Sequence, residues 1–125
     1  MRELVEELFA GEEAWVVGGA VRDAALGRPV VDLDVALREP QHAARAYAKR
    51  SGGAQFPLSE RHGAWRVALE GGRTVDFTPF TGTIDEDLAT RDFTINAIAV
   101  PLAGGDAVDP FAGRADLDAR LIRVV

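Results

Sequence analysis

Val30-Val31-Asp32-Leu33-Asp34-Val35-Ala36 is the stretch on which the reading of this chain turns. As an extended strand it sends alternate side chains to opposite faces. Val31, Leu33 and Val35 then project into a core, and Asp32 and Asp34 project together on the other side. Two carboxylates sharing one face repel unless a cation lies between them. A divalent metal site is the natural reading, and two-metal chemistry on a phosphate its natural use.

Upstream lies Gly18-Gly19-Ala20-Val21-Arg22-Asp23. The glycine pair closes a short apolar strand, Ala14 to Val17, and opens a helix from about Ala20 to Leu26, ended by Gly27. Glycines admit a close backbone approach, so this joint suits a triphosphate. Arg22 would bind phosphate, and Asp23 would orient a neighbour or form a local ion pair with it. The predicted helix brings this phosphate cradle beside the acid pair.

Outward from these segments, residues 3 to 9 read as an amphipathic helix with Leu4, Val5, Leu8 and Phe9 on one side. The acid-bearing strand is expected over 30–37 and an Ala-rich helix over about Pro40 to Arg50. Residues 64–69 and 74–78 are two strands, with Gly71-Gly72 signalling a hairpin. A loop is expected over 79–84, a helix near 85–90, turns at 103–106 and 109–113, a helical turn from Asp116 to Ala119 and a strand-like tail over 121–125. The order of elements gives a small α+β domain around a mixed sheet.

Asp76, in Val75-Asp76-Phe77, fits a third catalytic carboxylate beside the first two, or an exposed strand acid. Arg91, Asp92 and Asn96 place a cation, an anion and an amide on one helix-like segment. Arg91 would neutralise phosphate charge in the transition state, with Asp92 holding Arg91 or Arg22. The rival reading is an ion pair plus a capping Asn. His42 and His62 have no partner at metal spacing and are expected to be structural. Trp15 and Trp65 lie in apolar strands and are expected in the core. No Walker loop, Rossmann glycine pattern or Ser/His/Asp set is present.

The chain has 125 residues, enough for one domain, with 47% apolar and 27% charged residues. It has no cysteine, which excludes disulfides and thiolate metal sites and fits a cytoplasmic location. It has no long apolar run, so no membrane partner is expected. The net charge of −6 argues against a chain that grips nucleic acid through phosphates alone.

Three segments in order resemble one family. Gly18-Gly19-Ala20-Val21-Arg22-Asp23, Leu26-Gly27-Arg28 and Asp32-Leu33-Asp34 look like the first motif of the class II tRNA nucleotidyltransferases and bacterial poly(A) polymerases. Asp87-Leu88 with Arg91-Asp92-Phe93-Thr94-Ile95-Asn96-Ala97 is similar to their second motif, and Asp109-Pro110-Phe111-Ala112-Gly113 with Asp116-Leu117 and Leu121-Ile122-Arg123 resembles the third.

The resemblance implies a polymerase β-like nucleotidyltransferase head domain over 1–125. It implies Mg²⁺ on Asp32 and Asp34, with Gly18, Gly19 and Arg22 on the triphosphate and Arg91, Asp92 and Asn96 near nucleotide and sugar. The implied reaction moves CMP or AMP from CTP or ATP to the 3′ end of tRNA or another RNA. Thr90 stands where the family usually has a further arginine. The link from Phe80 to Asp85 is short, as in CC-adding members. No counterpart of the family's neck, body and tail is found, so the expectation is a catalytic head whose RNA grip lies mostly elsewhere. Two other readings share these residues: a non-catalytic nucleotide-binding or partner-docking module, and a small-molecule nucleotidyltransferase, against which the second and third motifs argue.

Overall fold

The computed structural model describes residues 1–125. Helix α1 spans Arg2–Phe9 and buries Val5 and Phe9, one turn apart on its apolar side. Strand β1 (Trp15–Val17) runs into helix α2 (Gly19–Ala25). Strand β2 is Asp32–Leu37, and helix α3 is Pro40–Ser51, with proline in its first turn and Gly52 in the left-handed conformation at its end. Strands β3 (Ala54–Ser59), β4 (Ala64–Ala68) and β5 (Thr74–Pro79) follow. Helix α4 (Ile84–Leu88) starts on the Thr83 side chain, which accepts the Glu86 N–H. Strand β6 is Ala99–Pro101 and helix α5 is Gly113–Asp118.

The strands form one six-stranded sheet in the order β3-β4-β5-β2-β1-β6. Strands β2 and β5 are parallel and every other pair is antiparallel, so the sheet is mixed as expected. The parallel pair needs a long crossover, which α3 and the β3–β4 hairpin supply. The two faces of the sheet differ. One buries Leu33, Val35, Leu37, Val67, Val75 and Phe77 beneath α1 and α3, with Phe77 packed edge-on to Phe9 at 5.5 Å between ring centres. The other carries the acids, and part of it is covered by a smaller cluster of Val17, Ala36, Phe80, Ile84, Leu88, Ala97 and Ala99.

Several expectations are corrected. Strand β2 starts at Asp32, and Val31 is 47% exposed rather than in the core. The Val31 carbonyl still accepts the Thr74 N–H at 3.2 Å, but Val31 and the Arg28-Pro29 ahead of it are all exposed. Strand β3 has no counterpart in the sequence reading. It is exposed almost throughout and lacks the buried alternation that marks a strand. The tail forms no strand: it is held by an isolated bridge between Phe93 and Val124, by backbone bonds from Thr94 to Arg123 and from Val125 to Asp92, and by Arg123 on Asp116. His42 and His62 are both exposed, so neither is a structural core residue. Trp15 and Trp65 are half-buried, packed against the smaller and larger clusters respectively.

Candidate nucleotidyl-transfer site

The alternation of β2 puts Asp32 and Asp34 on one face, as read from the sequence, with Leu33 and Val35 buried behind them. Parallel pairing sets Asp34 opposite Asp76 and Asp32 opposite Thr74. The three acids are held very differently. Asp32 is exposed and accepts a hydrogen bond from Thr74 Oγ1 at 2.7 Å. Asp76 is gripped at both oxygens by Arg66, from Nε at 2.7 Å and Nη2 at 2.9 Å. The forked geometry makes this a strong, oriented pair. Asp34 is half-buried and accepts no hydrogen bond from any side chain.

Burial therefore pushes the Asp34 carboxyl up from 3.8 to about 6, and the neighbouring Asp76 charge pushes the same way. Arg91 and Arg66 pull against that rise without cancelling it. An unpaired, desolvated carboxylate beside a second acid is where a cation lowers the free energy most. The chemistry of the donors is also right: hard oxygens, no sulfur and no imidazole, the set that suits Mg²⁺. Asp32 and Asp34 thus fit a divalent ion. Asp76, directly opposite Asp34, has both its oxygens on Arg66.

Beside Asp34, at the end of β1, Gly18 has φ +69° and ψ −143°, a conformation that favours glycine. A Cβ built there would lie 3.1 Å from Asp34 Oδ2 and 3.9 Å from Arg91 Nη1. The backbone, the acid and the guanidinium therefore converge at one point. One built on Gly19 would lie 3.1 Å from Arg22 Nη2, so Arg22 folds back over the glycine pair. Asp23 accepts from Arg22 Nε at 3.3 Å and Asn96 Oδ1 accepts from Arg22 Nη1 at 3.2 Å. Gly18, Gly19 and Arg22 are thus brought together, and Asn96 reaches Arg22 from a sequence distance of 74 residues.

The expected partner of the arginines is corrected. Asp92 holds neither Arg91 nor Arg22. It is exposed and accepts the N–H of Phe93 at 2.8 Å. Asp87, one turn earlier on α4, receives Arg91 Nη2 at 3.1 Å. Arg91 lies in the turn beyond α4, where its N–H bonds the Leu88 carbonyl at 3.1 Å, so the pair depends on how the chain leaves the helix. Arg66 was also missed. It and Asp76 are equidistant from the Gly71 turn, so counting back along the hairpin pairs them.

The third motif braces the site from behind. Both Asp109 oxygens cap the start of α5, accepting from the N–H groups of Gly113 at 2.6 Å and Arg114 at 3.1 Å. Gly113 packs so tightly on the Thr94 carbonyl that an added Cβ would stand 2.0 Å from that oxygen. Buried Asp116 accepts from the Thr94 hydroxyl and from Arg123, and the Thr94 bond holds its carboxyl below the usual range. These contacts fix the 3-10 turn Thr94–Asn96 that delivers Asn96. An apolar cavity of about 500 Å³ lined by Val16, Val21, Leu33 and Ile98 lies on the opposite face and holds no acid.

The model of the poly(A) polymerase head domain matches this chain over residues 14–80 and 65–123. A CC-adding tRNA nucleotidyltransferase of Geobacter sulfurreducens is 51% identical over 90% of this chain and 27% of its own length. An A-adding tRNA nucleotidyltransferase of Deinococcus radiodurans is 46% identical over 90% of this chain and 25% of its own. Among solved structures, a Thermotoga maritima CCA-adding enzyme complexed with tRNA superposes with a TM-score of 0.82 at 32% identity, covering 98% of this chain and 31% of that one. A tRNA nucleotidyltransferase complexed with a primer tRNA and an incoming ATP analogue gives a TM-score of 0.80 at 32% identity, covering 98% of this chain and 38% of that one. The chain spans about a quarter of the length of these curated relatives.

Proposed function

The chain belongs to the poly(A) polymerase head domain family, and on that premise we propose that it is the catalytic head of a tRNA 3′-end nucleotidyltransferase. It transfers CMP or AMP from CTP or ATP to the RNA end, in the manner of the CC-adding and A-adding relatives. The observation that carries the reading is the convergence of Asp34, Gly18 and Arg91 at one point beside Asp32.

In this reading Asp32 and Asp34 hold Mg²⁺. When bound, the ion supplies Lewis acidity that activates the RNA 3′-hydroxyl and offsets phosphate charge. The chain's own groups supply position. The Gly18 and Gly19 backbone lets the triphosphate approach without a side chain in the way. Arg22, oriented by Asp23 and Asn96, and Arg91, oriented by Asp87, meet the charge that builds on the leaving pyrophosphate. The RNA 3′-hydroxyl gives up its proton to solvent as its oxygen bonds the α-phosphorus, the bond from that phosphorus to the bridging oxygen breaks, and pyrophosphate leaves with the electron pair. Arg66 pairs with both oxygens of Asp76, so Asp32 and Asp34 are the acids of the row without a cation partner of their own. With its net charge of −6 the chain relies on other parts of the enzyme for most of its grip on tRNA, and it works in the cytoplasm.

The test is incorporation of labelled CTP and ATP, offered separately, into tRNA lacking its 3′ end in the presence of Mg²⁺. Transfer by the chain that Asp34→Ala abolishes is the expected result. Transfer that survives Asp34→Ala overturns the assignment.

A further inference from the structure

We propose that the uncovered half of the acid face, ending at Phe56 on the sheet edge, is a stacking platform for the single-stranded 3′ end of the RNA. The inference rests on the nucleotidyl-transfer reading of Asp32 and Asp34. It begins with direction. The groups suited to the triphosphate, Gly18, Arg91 and Arg22, all lie on the β1 side of Asp34. In an in-line displacement the entering and leaving oxygens stand on opposite sides of the phosphorus. The RNA oxygen must then arrive from the other side, across β5.

The covering of this face agrees. Val17, Ala36, Phe80, Ile84 and Leu88 fill it on the β1 side and around the end of β2. Beyond Asp76 it opens, and β3 is exposed from Ala54 to Leu58 with only Ser59 half-buried. Cross-strand pairing lines up Asp34, Asp76, Arg66 and Phe56 in one row on the same face. The next row is Asp32, Thr74, Ala68 and Ala54, all short, so Arg66, folded onto Asp76, is the one long side chain of β4 on this face. Phe56 is 40% exposed at the end of this track. At ~4.8 Å per strand it stands about 14 Å along the row from Asp34, within reach of the last few nucleotides of a strand whose end is at the acids.

Charge favours stacking over phosphate contact. The chain carries −6, and Arg66, the one cation in the row, is committed to Asp76. An aromatic face binds any base without needing a positive field. The rival occupant is the edge strand of a second copy. Pro57 gives no N–H to such a partner, and the register shifts between Pro57 and Ser59, so the edge is blunted against it.

The experiment compares the wild-type chain with Phe56→Leu and Phe56→Trp, using a short RNA oligonucleotide ending in two cytidines, with CTP and Mg²⁺ titrated separately. Phe56 is exposed, so neither change should unfold the chain. The expected result is an RNA Kd raised about tenfold or more in Phe56→Leu. In Phe56→Trp the affinity is retained, and the added indole emission is quenched by RNA but not by CTP. CTP affinity is unchanged in both. Equal RNA affinity in wild type and Phe56→Leu overturns the platform. So does an RNA-free dimer that Phe56→Leu dissociates, which would give the edge to a second copy. A wild-type chain that binds CTP with Mg²⁺ but not RNA overturns the platform and leaves the nucleotide reading standing. A chain that binds neither overturns both.

Discussion

Along β2, Leu33, Val35 and Leu37 are at most 3% exposed and packed into the main core, while Asp32 and Asp34 alternate with them on the opposite face. One side of the strand is built for stability. The other keeps a half-buried carboxylate that no side chain satisfies. Directly opposite Asp34 on β5, Asp76 shows that the fold can satisfy an acid on this face, since Arg66 holds both its oxygens. The contrast between Asp34 and Asp76 is therefore informative. Leaving Asp34 unpaired costs stability, and the arrangement makes sense where a bound cation offsets that cost.

The comparison can be broken first from the core side. Phe77 is fully buried between Phe9 and Tyr47, so Phe77→Ala should lower unfolding stability by about 3–5 kcal/mol in urea titration. A change below 1 kcal/mol would mean that the two faces are not so different.

Next comes Asp34→Asn, with the opposite sign. A carboxyl raised from 3.8 to about 6 in the folded chain represents a cost of about 3 kcal/mol above pH 6. Its contribution to stability is favourable below the unfolded value and is lost as pH rises through the folded one. The variant should thus be about 2–3 kcal/mol more stable than wild type at pH 7, with the gap closing as pH falls toward 4. Thermal melts across that range read this directly, and a variant less stable at pH 7 would contradict it.

A smaller effect sharpens the contrast between the acids. Arg66→Gln leaves Asp76 without its charged partner and should cost about 1–2 kcal/mol, discounted because Arg66 is about a third exposed. It also removes a cation that holds Asp34 down, so the Asp34 titration should move above 6. Carboxyl NMR would follow both groups. Smallest of all, the exposed Arg2–Glu6 pair on α1 should yield about 0.3–0.5 kcal/mol in a double-mutant cycle.

The readable parts of the chain were those where the signal is local. Alternation in β2, the Gly-Gly joint and the Gly71-Gly72 turn each specify geometry within a few residues, and each appears where expected. Asp32, Asp34, Gly18 and Arg22 followed from these. The partner assignments were harder. Arg22 to Asn96 depends on how a distant 3-10 turn is held, and that turn is set by Thr94 against Asp116 and Gly113. Asp92 reads as the natural partner of Arg91 because it is adjacent, but the turn that follows α4 carries Arg91 back onto Asp87. Strand β3 carries no such signal, because an edge strand with both faces open needs no apolar alternation.

The central claim is that the unsatisfied face of β2 is a metal-dependent nucleotide site. Calorimetric titration of CTP into the chain, with and without Mg²⁺, and in wild type and Asp34→Asn side by side, tests it most directly. The account predicts Mg²⁺-dependent binding in the wild type that Asp34→Asn loses, even though that variant is the more stable protein at pH 7. Equal binding in both chains, or binding indifferent to Mg²⁺, would contradict it.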